Sequence, residues 1–345
     1  MKQIFSLLLV TGLACHVNAQ NETPFLTKSL ANEAIEQVQA ETSGGNISIT
    51  GGAGEAKIEV YIWSNNGRKL QLSNEEIQKR LDEDYEFSIT TANHKLTAIA
   101  KPKKSGRWDW KRALSVSFKI FVPRNVATTL TTSGGNIDLA HLTGTQDFRT
   151  SGGNLHIDDL AGKIKGTTSG GNIQLKNSKD DITLSTSGGN IDAANSNGKL
   201  KLTTSGGNVH LQALSGDIDA TTSGGNVQAN TISGELAAVT SGGNVTLDDL
   251  SCSVDASTSG GHMRVNIKEL GSYVKLTNSG GNIDLEIPGN KGVDLKLLAD
   301  KISLVTPITF SGTKKDDRME GTLNGGGIPV TVRGSSGRVS LTVRK

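Results

Sequence analysis

Ser205-Gly206-Gly207-Asn208-Val209-His210-Leu211-Gln212-Ala213-Leu214-Ser215-Gly216-Asp217-Ile218-Asp219-Ala220-Thr221-Thr222 is one complete unit of a repeating chain. Val209 and Leu211 alternate with Asn208, His210 and Gln212, which is the period of a strand with one buried face. Ser215-Gly216 punctuates a turn, and Ile218 and Ala220 then alternate with Asp217, Asp219 and Thr221 as a second strand. Ser205-Gly206-Gly207 forms the other corner. Nothing in the unit has a helical period.

The unit recurs. Ser-Gly-Gly starts at Ser133, Ser151, Ser169, Ser187, Ser205, Ser223, Ser241 and Ser259, every step being one unit long, with a further copy at Ser279 and a lone early one at Ser43. Fixed self-similarity of this length signals a stacked array, and it is read before any local propensity. The slot after Asn holds Ile137, Leu155, Ile173, Ile191, Val209, Val227, Val245 and Met263. Two residues on come Leu139, Ile157, Leu175, Ala193, Leu211, Ala229, Leu247 and Val265. The second strand gives Gln146, Ile164, Ile182, Leu200, Ile218, Leu236 and Val254, apolar except for Gln146. Such columns predict an all-β, single-stranded parallel β-solenoid of 18-residue coils, each burying its strands against the coils above and below. Seven regular coils over 133–258 would span about 34 Å at the usual strand spacing.

Corner residues form columns too. Asn136, Asn154, Asn172, Asn190, Asn208, Asn226 and Asn244 share one slot. Asn tolerates left-handed backbone and can hydrogen-bond along a stack, and the double glycines are expected to supply positive φ. The second corner carries Gly144, Gly162, Gly198, Gly216 and Gly234, with Asp180 and Cys252 as replacements, so Cys252 reads as an incidental turn residue.

Outward from the coils, residues 20–132 read as an irregular β-rich N-terminal cap. Ala53 to Trp63, Tyr85 to Ala100 and Ala113 to Val122 are expected strands. Ser73-Asn74-Glu75-Glu76 is a capping box that starts a short helix before Ile77 and Leu81. Residues 259–345 read as two or three irregular coils and an end strand, Val339–Val343. Residues 1–19 read as a signal peptide: basic Lys2, an apolar run from Ile4 to Ala14, and Val17-Asn18-Ala19 before the cut. A lipoprotein reading would acylate Cys15, but Gly12-Leu13-Ala14 fits that poorly. Cleavage after Ala19 leaves Cys252 as the lone thiol, so no intramolecular disulfide is expected. The predicted location is exported: periplasm, outer-membrane surface or beyond. No later run of apolar residues is long enough for a transmembrane helix.

Composition fits. Glycine makes up 42 of 345 residues and aromatics 4%, as a thin repetitive core requires. Net charge is +2, so no global attraction to nucleic acid is expected. Leu130-Thr131-Thr132-Ser133-Gly134-Gly135-Asn136-Ile137, the early Glu41-Thr42-Ser43-Gly44-Gly45-Asn46-Ile47 and the late Glu320-Gly321-Thr322-Leu323-Asn324-Gly325-Gly326-Gly327 carry a resemblance. Together with the Ser-Gly-Gly-Asn repeats, they resemble the putative adhesin domain family of exported bacterial proteins. That resemblance implies a β-solenoid and an envelope location and offers no catalytic residues to carry over; no cofactor is expected.

The residues themselves offer few chemical sites. Gly206-Gly207-Asn208-Val209-His210-Leu211 lacks the Asp of a calcium-binding roll. Glycoside hydrolysis needs two nearby carboxylates. The pairs Asp158-Asp159, Asp180-Asp181 and Asp248-Asp249 are scattered along the stack, so they read as solvated corners. His156 and His210 share an outward slot three coils apart and cannot share a metal ion. The outward slot as a whole reads Asp138, His156, Gln174, Asp192, His210, Gln228 and Thr246, which offers a polymer no repeated group. The segment 101–112 concentrates charge and aromatic surface. Lys103, Lys104, Arg107, Trp108 and Trp110 could grip a cell-surface glycan or envelope polymer, although a hairpin loop with its tryptophans folded onto the cap accounts for the same residues. The expected function is structural or adhesive and non-catalytic; a β-helix enzyme acting on an acidic polysaccharide is the alternative.

Overall fold

The computed structural model describes residues 23–52, 54–64, 72–103 and 112–345. The expected leader 1–19, with Cys15, lies outside the described residues. Strands dominate, and the single helix among the described residues, Asn74–Asp84, is capped by the Ser73 hydroxyl, which accepts from the Glu76 amide.

Each coil lays one strand on each of two faces. On the first face Ile137–Ala140, Leu155–Asp158, Ile173–Lys176 and Ile191–Ala194 pair in parallel, each residue opposite its equivalent in the next coil. On the second face Thr143–Arg149, Ala161–Thr167, Lys179–Thr186 and Asn197–Thr204 do the same. From Val209 onward the two strands of a coil run together as Val209–Thr221, Val227–Val239 and Val245–Thr258. The three apolar columns read from the sequence are buried throughout. A fourth column, Leu142, Leu160, Ser178, Ser196, Leu214, Ile232 and Leu250, is also buried where the chain crosses from one face to the other. Gln146 sits in the core with both polar ends satisfied: it accepts from the Thr128 hydroxyl at 2.7 Å and donates to the Val126 carbonyl at 2.8 Å.

The corners work differently from the expectation. Neither the Asn column nor the double glycines adopt positive φ. Left-handed backbone falls instead at His141, Asp159, Asn177, Asn195, Ala213, Thr231 and Asp249, with φ of 51–59°, and at the Gly144, Gly162, Gly198, Gly216 and Gly234 slot, where Asp180 also adopts φ 84°. The second glycine of each Ser-Gly-Gly is required by closeness. A Cβ on Gly207 would lie 2.0 Å from the carbonyl oxygen of Gly189, whereas one on Gly206 would meet nothing nearer than 3.6 Å.

Two polar ladders run beside these glycines. Each Asn side-chain oxygen accepts the backbone N–H of the equivalent residue one coil on, from Asn46 to Asn136 and coil by coil to Asn244, at 2.8 Å throughout. His262 enters the same slot: its own N–H donates to Asn244 and its Nδ1 accepts from Asn282, so the ladder continues through it. The second ladder is a buried threonine column, Thr132, Thr150, Thr168, Thr186, Thr204, Thr222, Thr240 and Thr258. The Thr204 hydroxyl donates to the Gly189 carbonyl at 2.8 Å and accepts from the Gly207 amide at 3.3 Å. Buried backbone groups left unpaired are costly, so this column completes the corner that the glycines make possible.

Cys252 is a further correction. It is not in a turn but fully buried within a strand, and burial pushes its thiol up to about 12. Tyr85 to Ala100 is not one strand either. Asn93 and His94, both at positive φ, fold it into an antiparallel hairpin of Tyr85–Ala92 and Lys95–Pro102.

The order of coils at both ends departs from the order of the sequence. The early copy, Gln37–Thr42 and Ile47–Gly51, stacks directly under the coil of Ala127–Thr132 and Ile137–Ala140. Lys95–Pro102 and Leu114–Val122 form the next coil outward, and antiparallel strands Leu26–Ser29, Lys57–Ser64 and Tyr85–Ala92 finish that end. Ile77 and Leu81 of the helix are buried there. At the other end the last two strands, Ile328–Gly334 and Arg338–Arg344, are threaded into the stack. The first lies between Met263–Asn278 and Val293–Leu298, the second between Ile283–Pro288 and Lys301–Val305. The antiparallel pair Phe310–Lys314 and Arg318–Leu323 closes this end of the second face.

Candidate functional site

A strand whose inner residues are fixed by stacking must present its alternate residues outward at a constant interval. On the first face this produces two outward columns. One contains Asp138, His156, Gln174, Asp192, His210, Gln228, Thr246, Arg264 and Asp284. The other contains Ala140, Asp158, Lys176, Ala194, Gln212, Asn230 and Asp248.

The small side chain of Ala194 lowers the second column between the longer Lys176 and Gln212. The result is a trough of about 510 Å³ running across several coils, lined by Lys176, Asp192, Ala194, His210, Gln212, Gln228, Asn230, Thr246 and Asp248. Asp248 also borders a second depression of about 410 Å³, lined with Arg264, Asn266, Asp284, Glu286, Ser340 and Thr342. The Asn266 side-chain oxygen, buried beside it, has no hydrogen-bond partner among the described residues. The lining is rich in amides and carboxylates spaced along one direction.

Within the outward column the groups bridge neighbouring coils. His156 Nδ1 lies 2.6 Å from Asp138, and His210 Nδ1 lies 3.5 Å from Asp192 while its Nε2 faces the side-chain oxygen of Gln228. His156 and His210 therefore stand on the surface as expected, each tied to the coil before it.

Of the acidic pairs, Asp158, Asp159 and Asp249 have partners. Asp158 accepts from the Asn177 amide at 2.7 Å. Asp159 accepts from Arg124 and from His141 Nδ1, and the His141 hydrogen bond, followed by Arg124, holds its carboxyl below the usual range. Asp249 takes the Thr231 hydroxyl and lies 3.5 Å from Lys268. Carboxyls with a clear shift among the described residues, Glu59, Glu75, Glu76, Asp159 and Glu320, all move down. A general acid at neutral pH needs the opposite direction.

Of the basic and aromatic segment, Lys104, Arg107, Trp108 and Trp110 lie outside the described residues. The strands on either side of it, Lys95–Pro102 and Leu114–Val122, lie on different faces of the stack. The bases at its ends have partners. Lys101 pairs with Glu41 at 2.5 Å, Lys103 donates to the Asp82 carbonyl, and Arg112 pairs with Glu83 and Asp84 at 2.7 and 3.1 Å.

Sequence reasoning missed the trough. Its signal was present as Ala194 between Lys176 and Gln212 in one column, but depth follows only when neighbouring outward columns are seen side by side.

The Toastrack DUF4097 family model matches residues 176–342. Three solved structures are similar to the chain. One is a putative cell adhesion protein from Clostridium sporogenes, 10% identical, covering 92% of this chain and 98% of that one with a TM-score of 0.21. The others are a putative adhesin from Parabacteroides distasonis (11% identical, 92% and 96% covered, TM-score 0.28) and one from Bacteroides fragilis (11%, 92% and 96%, 0.24). Comparison with curated proteins gives no match.

Proposed function

We propose that this chain, whose residues 176–342 belong to the Toastrack DUF4097 family, is an exported, non-catalytic envelope protein of structural or adhesive role that holds an extended, hydroxyl-rich polymer along its first face. The observation that carries the reading is the trough from Lys176 to Asp248. Its amides, carboxylates and imidazole recur at the strand spacing of about 4.8 Å, and polar groups of this kind orient glycan hydroxyls. The lowered carboxyl of Asp159, held by His141 and Arg124, supports binding over hydrolysis. Export rests on residues 1–19, and N-terminal sequencing of the mature protein should begin at Gln20. Residues 20–132 and 259–345 act as the closures of the regular stack 133–258, which would otherwise expose open edges.

The test is retention of the purified chain on immobilised envelope glycans, comparing wild type with Ala194→Trp, which fills the trough without touching the core. Binding should weaken at least tenfold with thermal unfolding unchanged. Undiminished retention overturns the trough. A second variant replaces Trp108 and Trp110 by Ala and Lys103, Lys104 and Arg107 by Gln. It measures the contribution of the 101–112 segment, which we propose as an accessory contact for acidic polymers, weakened by salt. Turnover of an acidic polysaccharide that an Asp→Asn change abolishes would favour the β-helix enzyme instead.

A further inference from the structure

The second face carries a charge pattern that the polymer-binding reading does not use. Two of its outward columns carry it, in the stacking register. The first holds Lys163, Asp181, Lys199, Asp217, Glu235 and Ser253; the second holds Lys165, Thr183, Lys201, Asp219, Ala237 and Asp255. Four lysines therefore stand on the first three of these coils, with Asp181 among them, and four acids stand on the next three.

Among the described residues none of the four lysines lies within ion-pair distance of a carboxylate, and all four are exposed. The acids are largely uncompensated too; Lys275, 2.8 Å from Asp255, is the base beside them. Their collective field is felt by Tyr273. Its hydroxyl, hydrogen-bonded to Glu235, is pushed up to about 12 by that bond, by burial and by the charges of Glu235, Asp255 and Asp217.

We propose that this face is the contact surface for a second copy of the chain, joined across a two-fold axis that sets the lysine coils of each copy against the acidic coils of the other. The inference deepens the structural and adhesive reading by naming a partner. Like surfaces meet in a two-fold interface, so the pattern must be complementary to itself after rotation. Two faces that meet are related by an axis lying in the plane between them. An axis parallel to the strands, passing midway between Lys199/Lys201 and Asp217/Asp219, reverses the stack direction and keeps each column opposite itself. It sets Lys199 against the second copy's Asp217, Lys201 against its Asp219 and Lys165 against its Asp255. Thr183 meets Ala237 and Lys163 meets Ser253, both without repulsion. Asp181 against Glu235 is the one like-charge contact, outweighed by the three attractive ones. Moving the axis half a coil spacing toward the lysines sets Lys199 and Lys201 each against its own copy; moving it as far the other way does the same to Asp217 and Asp219. Repulsion at the centre therefore penalises the half-spacing shifts, while a shift of one full spacing toward the lysines would pair Lys199 with Asp181, Lys163 with Asp217 and Lys165 with Asp219, the competing register that Asp181→Lys separates from this one. The paired coils, from Lys163 to Asp255, extend over about 24 Å of stack.

Sedimentation velocity on the purified chain at low and high ionic strength tests this. Association is expected at about 0.01–0.02 M salt, with loss as screening shortens below about 10 Å. Two double variants, Lys199→Glu with Lys201→Glu and Asp217→Lys with Asp219→Lys, should each be monomeric at low salt with unchanged unfolding temperature, because all four sites are on the surface. Mixed in equal amounts, they should associate again, each presenting the charge the other now needs. Asp181→Lys turns the one repulsive contact into an attractive one and should tighten association; weakening by that change overturns the register. A wild type that stays monomeric at low salt overturns the proposal. So does association that neither double variant weakens, or a mixture that stays monomeric. Glycan retention by the monomeric variants reads the trough separately, so either proposal can fail alone.

Discussion

The regular coils from Ser133 to Thr258 and the closing coils after them are built from the same strands but connected differently. In the regular part each strand pairs with its equivalents in the coils before and after it. In the closing part Met263–Asn278 pairs with Ile328–Gly334, and Ile283–Pro288 with Arg338–Arg344, across several intervening strands. Both regions bury their apolar columns equally well. The regular part can zip coil by coil, whereas the closing part must hold a gap until the C-terminal strands enter it. Non-local pairing of this kind is slower because loop closure precedes its reward. The threading also places the last strands inside the stack, where neighbours on both sides protect them.

The largest effect should come from removing the threaded strands. Deletion of residues 328–345 leaves Met263–Asn278, Ile283–Pro288, Val293–Leu298 and Lys301–Val305 without a parallel partner on one side. Hydrogen exchange should show residues 290–327 losing protection almost entirely while 133–258 keeps it, because stacked repeats couple mainly to their neighbours. Protection of 293–323 at the wild-type level would show that the gap closes without the terminus.

Within the regular part the corner glycines divide sharply. Gly207→Ala forces a Cβ to 2.0 Å from a carbonyl that is held by the ladder, while Gly206→Ala enters open space at 3.6 Å. The first should cost about 3 kcal/mol or more and the second about 0.5 kcal/mol or less, read from denaturant unfolding. Equal costs would mean that the corners can spread, and that close stacking is not what selects glycine.

How much of this was readable depended on whether a residue type carried its reason locally. Columns such as Val209, Val227 and Val245 state their burial by alternation and period alone, and the capping box at Ser73 states its helix in four residues. The glycine and asparagine columns were equally visible, but their reason was not: a carbonyl one coil away acts on Gly207, and no single coil shows it. The threonine column stands in the same motif, but a buried Thr and an exposed Thr look alike until the Gly189 carbonyl is seen beneath Thr204. Threading of Ile328–Gly334 left no mark, because parallel pairing partners are chosen by geometry as well as by pattern. The trough was hidden for the same reason, its depth belonging to two columns at once.

Thr204→Val isolates that threonine. The substitution keeps the shape but removes the hydroxyl that donates to the Gly189 carbonyl and accepts from the Gly207 amide. Two buried backbone groups then lose a partner, so the cost should be about 2–4 kcal/mol. Thr203→Val, in the next and partly exposed slot, should fall within about 0.5 kcal/mol. A Thr204→Val variant as stable as Thr203→Val would reduce the column to simple packing and leave the glycines alone to explain the corner.

The smallest expected effect has the opposite sign. Ala213 adopts φ 52° in a column otherwise filled by His141, Asp159, Asn177, Asn195, Thr231 and Asp249. Left-handed backbone costs an alanine about 1 kcal/mol because its Cβ crowds the following carbonyl, and Asn relieves part of this through local hydrogen bonding. The Ala213 side chain is exposed and no core contact depends on it. Ala213→Asn should therefore raise stability by about 0.5 kcal/mol, and Ala213→Gly by somewhat less, since glycine gains conformational freedom in the unfolded chain. Thermal unfolding of the two variants beside Asn195→Ala, which imposes the same strain one coil earlier, gives the strain at this corner from both directions. Stabilisation by Asn at 213 with matching destabilisation by Ala at 195 is the expected pair. Equal stability of all three would show that the coil absorbs the strain in its flanking strands, and the regular region would then be less uniform than its register implies.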